Sequence, residues 1–201
     1  MWKVVCSIIL FYQKPYYWIF TACWVLLCVS EWGHSLFTRD SGKGPKNKYS
    51  TALIYIGVAL LIFIGYTGYI VPSYLTYNNL AFPLFVFGVV IELTALVLRW
   101  ISIYIMGGSF SRKIRVGGNQ KIIKSGPFAV IRHPNYLAGL LMYLSFGFIY
   151  GTWVSLFCAI LLGLLVYLYR INVEETYLRE NLDGYEAYCQ EVKYRLIPFI
   201  Y

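Results

Sequence analysis

Apolar residues fall in long unbroken runs along this chain, and the short polar stretches between them are mostly basic. One run covers residues 16–37, a second 51–71, a third 80–105, and two more cover 135–150 and 152–170. A helix needs about 20 apolar residues to cross the hydrocarbon layer of a bilayer. The pattern therefore predicts an all-α, polytopic helical membrane protein with about five transmembrane helices. The last two runs are slightly short, which suits a thinned bilayer or partial burial in protein. None of the runs alternates as a barrel strand must, and lipid offers no partner to an open strand edge.

Proline and glycine punctuate this pattern. Pro72 ends the second run, and Pro83 falls in the first turn of the third, where a missing N–H matters least. Pro134 stands where a helix can begin, and Gly151 marks a tight turn between the last two runs. Residues 106–133 form a long non-spanning region made permissive by Gly107, Gly108, Gly117, Gly118 and Gly126. After the last run, Leu178, Leu182, Tyr185, Cys189 and Val192 recur at spacings of three and four with acids on the other face. That spacing predicts a C-terminal amphipathic helix over 173–192, interrupted near Gly184 and resting on the membrane or on the bundle. Residues 2–12 are apolar but too short to span, and read as an interfacial helix or an extension of the first span. Lys3 is followed by an apolar run with no small-residue cleavage site before the next span, so the first membrane helix is expected to direct insertion itself.

Composition agrees with this pattern: 59% of the 201 residues are hydrophobic and only 13% are charged, about half the usual share. The net charge of +8 does not indicate a nucleic-acid partner, because the basic residues cluster between spans, where they anchor helix ends and set orientation. The link 38–50 holds Arg39, Lys43, Lys46 and Lys48. The link 106–133 holds Arg112, Lys113, Arg115, Lys121, Lys124 and Arg132 without one acid. With five spans, both links and the tail lie on one side, which the positive-inside bias makes cytoplasmic. The five cysteines form no CxxC pair and read as small buried hydrophobes, and two histidines give little basis for a structural zinc site.

Three polar clusters converge on the cytoplasmic ends of the spans. They are Arg99-Trp100, the stretch from Gly126 to Tyr136, and Arg170 to Glu175. Arg170 and Glu174 are four apart and share a helix face, while Glu92 and Arg99, seven apart, lie close to one face of the third span. Charges at such positions are paired or contact a ligand by default. Plainer readings stay open at this point: Lys124, Arg132 and Arg170 as membrane anchors, His133 at a wet helix start, Glu174 and Glu175 facing solvent, and Tyr136 as one of twenty tyrosines suited to an interface.

The stretches GPFAVIRHPNYLAG and YRINVEETYLRENLDGYEAYCQEVKYRLIP, with LRWISIYIMGGSF upstream, resemble the isoprenylcysteine carboxyl methyltransferase family. The likeness divides the chain into N-terminal transmembrane helices, 1–95, and a methyltransferase core with a cofactor site, 96–201. It implies S-adenosyl-L-methionine as methyl donor and a prenylated cysteine or other lipid-like acceptor reaching the site from the bilayer. Carried over, Arg170 and Glu174 match the pair at the reacting centre. His133, Tyr136, Tyr185 and Tyr188, with the backbone near Gly126 and Ile131, match positions that hold the cofactor. Phe128 departs from the pattern, since many relatives have tyrosine there. The Arg-His-Pro-x-Tyr element also resembles certain membrane sterol reductases. A nicotinamide-dependent lipid reductase and a non-enzymatic lipid-binding protein are the alternatives.

Transfer of a sulfonium methyl to a carboxylate needs no general base, because a C-terminal carboxyl with a reference pKa of about 3.3–3.7 is ionised at neutral pH. The site must orient and desolvate that carboxylate, a task suited to the planar fork of Arg170. A phenol or enol acceptor would instead call on Glu174 or His133 as base.

Overall fold

A computed structural model describes residues 49–67, 75–107, 122–198 and 200–201. The expected span at 16–37 and the interfacial segment 2–12 lie outside the described residues, as does most of the basic links. Among the described residues the chain is all-helical: α1 (Tyr49–Thr67), α2 (Ala81–Met106), α3 (Pro134–Ile149), α4 (Trp153–Asn181) and α5 (Tyr185–Glu191). Short 3-10 turns at Asn78–Leu80 and Gly126–Ala129 precede α2 and α3.

Two helices, α2 and α4, are long and apolar enough to cross a membrane; the apolar stretches Ala52–Ile64 and Pro134–Ile149 are shorter. Their outer faces suit lipid. Phe82, Val86, Val90, Leu93 and Val97 of α2 and Phe157, Leu161 and Leu165 of α4 are all exposed, which water would penalise by about 25 cal/mol per Å² of apolar surface.

The amphipathic tail takes a different form from the one expected. Its first half is not a separate helix but continues the last apolar run, so α4 is one rod of 29 residues. At 1.5 Å per residue it measures about 43 Å against about 30 Å of hydrocarbon, and the charged turns from Arg170 onward extend past the apolar layer. Only the second half forms its own helix, α5, after Gly184 turns the chain with φ of 82°. The 95/96 boundary drawn from the resemblance falls within the unbroken helix α2.

Close approach holds the bundle together. At Gly147 of α3 a Cβ would come within 2.8 Å of the Leu156 Cα, so only glycine lets α3 and α4 pack at this distance. Tyr143 reaches from α3 to donate its hydroxyl to the Ile54 carbonyl of α1, and Leu61, Tyr143, Ala159, Tyr167 and Ile171 form the core beside it. Glu92 and Arg99 do share a face of α2, the one turned to α3. Glu92 is bound by the Ser145 hydroxyl, and Arg99 Nη1 donates to Asn135 Oδ1 over 3.1 Å. The α3–α4 turn is capped at Thr152, whose side chain accepts from the Ser155 amide, and is tied to the preceding link by Tyr77 N–H on the Gly151 carbonyl. These contacts lie at the opposite end of α3 from Pro134, leaving the Pro134 end to the polar residues.

Candidate functional site at the helix ends

The turn before α3 is built by local constraints. Ser125 is extended, Gly126 opens the 3-10 turn with φ of 58°, and Pro127 follows in its first positions. A side chain on Gly126 would be strained by that φ and would collide with Ile105 at the end of α2. The turn delivers Ile131, Arg132 and His133 to the start of α3, with Pro134 at its first position.

The C-terminal tail then covers this turn. Ile131 pairs with Tyr194 in a parallel bridge, and the amides of Arg132 and His133 donate to the Tyr194 and Arg195 carbonyls at 2.9 Å each. Tyr188 donates its hydroxyl to the Phe128 carbonyl over 2.7 Å. Tyr185 and Tyr188 are buried with ring centroids 5.9 Å apart. Burial raises both phenols, Tyr188 to about 12, so both stay protonated at neutral pH.

Two ion-pair systems meet here. In the first, Glu175, 3% exposed, accepts from Arg132 Nε at 2.8 Å and faces His133 Nε2 at 3.2 Å, both on Oε1. Its Oε2 lies 3.0 Å from Arg195 Nε and 3.9 Å from Arg179. Arg132 also donates through Nη1 to the carbonyls of Val192 and Lys193 at 2.8 and 3.2 Å. Arg132 is therefore the buried pin of the tail rather than a lipid anchor, and Glu175 does not face solvent. His133 is buried too, so the wet helix start is overturned. Lys124, by contrast, is exposed and pairs with Glu191 at 2.6 Å.

In the second system, Arg170, 3% exposed, donates Nε to the Tyr136 hydroxyl over 2.8 Å, with its guanidinium carbon 5.3 Å from the Tyr136 ring centroid. His133 stacks on that ring at 5.4 Å and 8°. The Tyr136 hydroxyl also interacts with the Glu174 carboxylate, whose Oε2 is buried without a hydrogen-bond partner. Leaving an acceptor-only oxygen out of water without a donor costs about 1–3 kcal/mol or more, and a cationic or N–H group beside it would offset that cost.

Of the residues singled out in the sequence, Arg170, Glu174, His133 and Tyr136 thus form one connected group. Tyr185 and Tyr188 lie under the tail, and the Ile131 amide is engaged by the Pro127 carbonyl at 3.0 Å. The sequence reading missed Arg195, which lies twenty residues beyond Glu175 with no periodic relation to it. Arg132 and Glu175 were visible only as charges of unassigned role.

An α-helical membrane protein with a buried polar site where its helices emerge from the apolar layer is the class these features define. Residues 86–180 match the isoprenylcysteine carboxyl methyltransferase (ICMT) family. The match takes in Arg99, the turn to Tyr136, and the Arg170–Glu175 stretch. The chain is also similar to the Delta(14)-sterol reductase TM7SF2 of Mus musculus, 26% identical over an alignment of 138 residues that covers 57% of this chain and 32% of that protein. The chain thus spans about a third of the length of this curated relative.

Proposed function

We propose that this chain is a multi-pass membrane methyltransferase that uses S-adenosyl-L-methionine to methylate the carboxylate of an isoprenylated cysteine or a similar lipid-like acceptor. In this reading five spans carry the chain across the bilayer and the site faces the cytoplasm. The observation that supports it best is the linked group Arg170–Tyr136–Glu174–His133, formed by residues inside the family match.

The residues fit the cofactor's chemistry. The unpartnered Glu174 Oε2 matches an ammonium or a sulfonium charge, and the faces of His133 and Tyr136 suit a flat heterocycle. Bound S-adenosyl-L-methionine supplies an electrophilic methyl group. Arg170 orients the acceptor carboxylate and, held by Tyr136, loses little freedom in doing so. The Tyr185–Tyr188 tail closes over the turn and keeps water out. No residue needs to remove a proton when the acceptor is a carboxylate.

The sterol-reductase relative supports a second reading, a nicotinamide-dependent reductase acting on a membrane lipid, in which the Tyr136 hydroxyl beside Arg170 would serve as proton donor. Calorimetry on the purified full chain separates the two. Calorimetric binding of S-adenosyl-L-methionine or its demethylated product is expected with a micromolar dissociation constant, a binding free energy of about 8 kcal/mol, and His133→Ala weakens it. Binding of reduced nicotinamide dinucleotide alone would favour the reductase. Heat from neither cofactor would favour a lipid-binding role without turnover.

A further inference from the structure

Glu175 holds a position the proposed chemistry does not use. A carboxylate can only accept hydrogen bonds, and this one is surrounded by donors: Arg132 Nε at 2.8 Å, Arg195 Nε at 3.0 Å and Arg179 at 3.9 Å. Against the cost of burial, the His133 and Arg132 groups hold its carboxyl below the usual range, with Glu174 next to it in α4 and the phenols of Tyr185 and Tyr188 packed under the tail. The 3.2 Å contact from Glu175 Oε1 to His133 Nε2 is then satisfied only if Nε2 carries the proton. In neutral imidazole the second nitrogen, Nδ1, is left as a bare acceptor.

We propose that Glu175 is a positioning residue that fixes His133 as its Nε2–H tautomer and, through Arg132 and Arg195, locks the C-terminal tail onto the same imidazole. Nδ1 is thereby presented as an acceptor to an N–H or O–H donor of the ligand. The ring cannot turn over without leaving Oε1 with one donor fewer. The tail and the ligand-facing ring share one carboxylate, so removing that carboxylate frees both. The functional consequence rests on the cofactor reading above; the tautomer does not.

The test uses the full chain with 15N-labelled histidine. The sequence has two histidines, and His34→Gln leaves His133 as the sole signal. Without added cofactor, above the titration of the ring, the proton is expected on Nε2. A proton on Nδ1 overturns the proposal with no further variant needed. Glu175→Gln should give mixed tautomers and bind S-adenosyl-L-methionine roughly ten- to a hundredfold more weakly. Because that change also strips a partner from three arginines, Arg195→Gln serves as a milder variant that leaves the His133 contact itself intact. It should keep the Nε2–H tautomer in the folded protein while raising protease sensitivity of the tail. A folded Glu175→Gln protein with the parent tautomer and parent affinity would refute the positioning role. A parent that carries Nε2–H but binds no S-adenosyl-L-methionine removes the methyltransferase reading and leaves the role of Glu175 standing.

Discussion

The Arg170 side chain, from the charged end of α4, donates Nε to the hydroxyl of Tyr136 in the first turn of α3 over 2.8 Å. This contact orients a guanidinium that would otherwise sample many rotamers, and it fixes the planar fork relative to His133, which stacks on the same tyrosine ring.

If Arg170 holds the acceptor, Arg170→Ala spares S-adenosyl-L-methionine binding and lowers methyl transfer by roughly two orders of magnitude or more. Arg170→Lys restores only part of it, because an ammonium lacks the two-pronged geometry. Tyr136→Phe keeps the ring but leaves a buried N–H without its acceptor, worth about 1–3 kcal/mol of stability. The assay is transfer of labelled methyl groups to a farnesylated cysteine analogue. Near-parental turnover in Arg170→Ala would remove that residue from the reaction.

The two ion pairs that tie the tail down differ in burial, and their deletion should differ accordingly. Lys124 and Glu191 have side chains about half exposed, 46% and 56%, so Lys124→Ala should cost under about 1 kcal/mol. Arg132→Ala removes one cationic partner of the buried Glu175 and the donor to the carbonyls of Cys189, Val192 and Lys193, for roughly 3–5 kcal/mol. Thermal unfolding in detergent, with limited proteolysis of the tail, measures both. Equal losses would contradict the assignment of Arg132 as the pin.

Gly147→Ala tests the close packing of α3 on α4. Alanine favours a helix by up to about 1 kcal/mol over glycine. Here the new methyl would meet the backbone at Leu156 Cα, 2.8 Å away, and relieving that overlap costs about 1–3 kcal/mol. The steric term should win, and the variant should melt below the parent. A raised melting temperature would show that the two helices can separate freely.

The five-span topology is checked by single cysteines placed in a background with all five native cysteines replaced. Positions Lys46, Lys121 and Lys193 should stay unlabelled by an impermeant reagent in intact cells, whereas Asn79, in the link before α2, should react. Labelling of Lys193 from outside would invert the model.

Apolar run lengths alone predicted α2, α3 and the first two thirds of α4 to within a few residues, because a helix in lipid must satisfy its backbone internally and no other local structure competes. Pro134 and Gly151 were readable as a helix start and a turn for the same local reason, fixed φ in one and positive φ in the other. The four-residue spacing of Arg170 and Glu174 put them on one face before any fold was known. The charged motifs marked a polar end of the bundle and pointed to a family.

What those motifs do together was decided by contacts far apart in sequence. Glu174 and Glu175 are adjacent and chemically identical, yet one faces Tyr136 and the other is enclosed by Arg132, His133 and Arg195. Neighbours on a helix point about 100° apart, so which face each carboxylate meets depends on where α3 and the tail pack. The continuity of α4 was likewise hidden, since the change from apolar to charged residues marks the edge of the lipid layer and not the end of the helix. The pairing of residues 131–133 with 194–195 has no periodic signature at all; it exists because the tail returns to give the buried amides of the turn their acceptors.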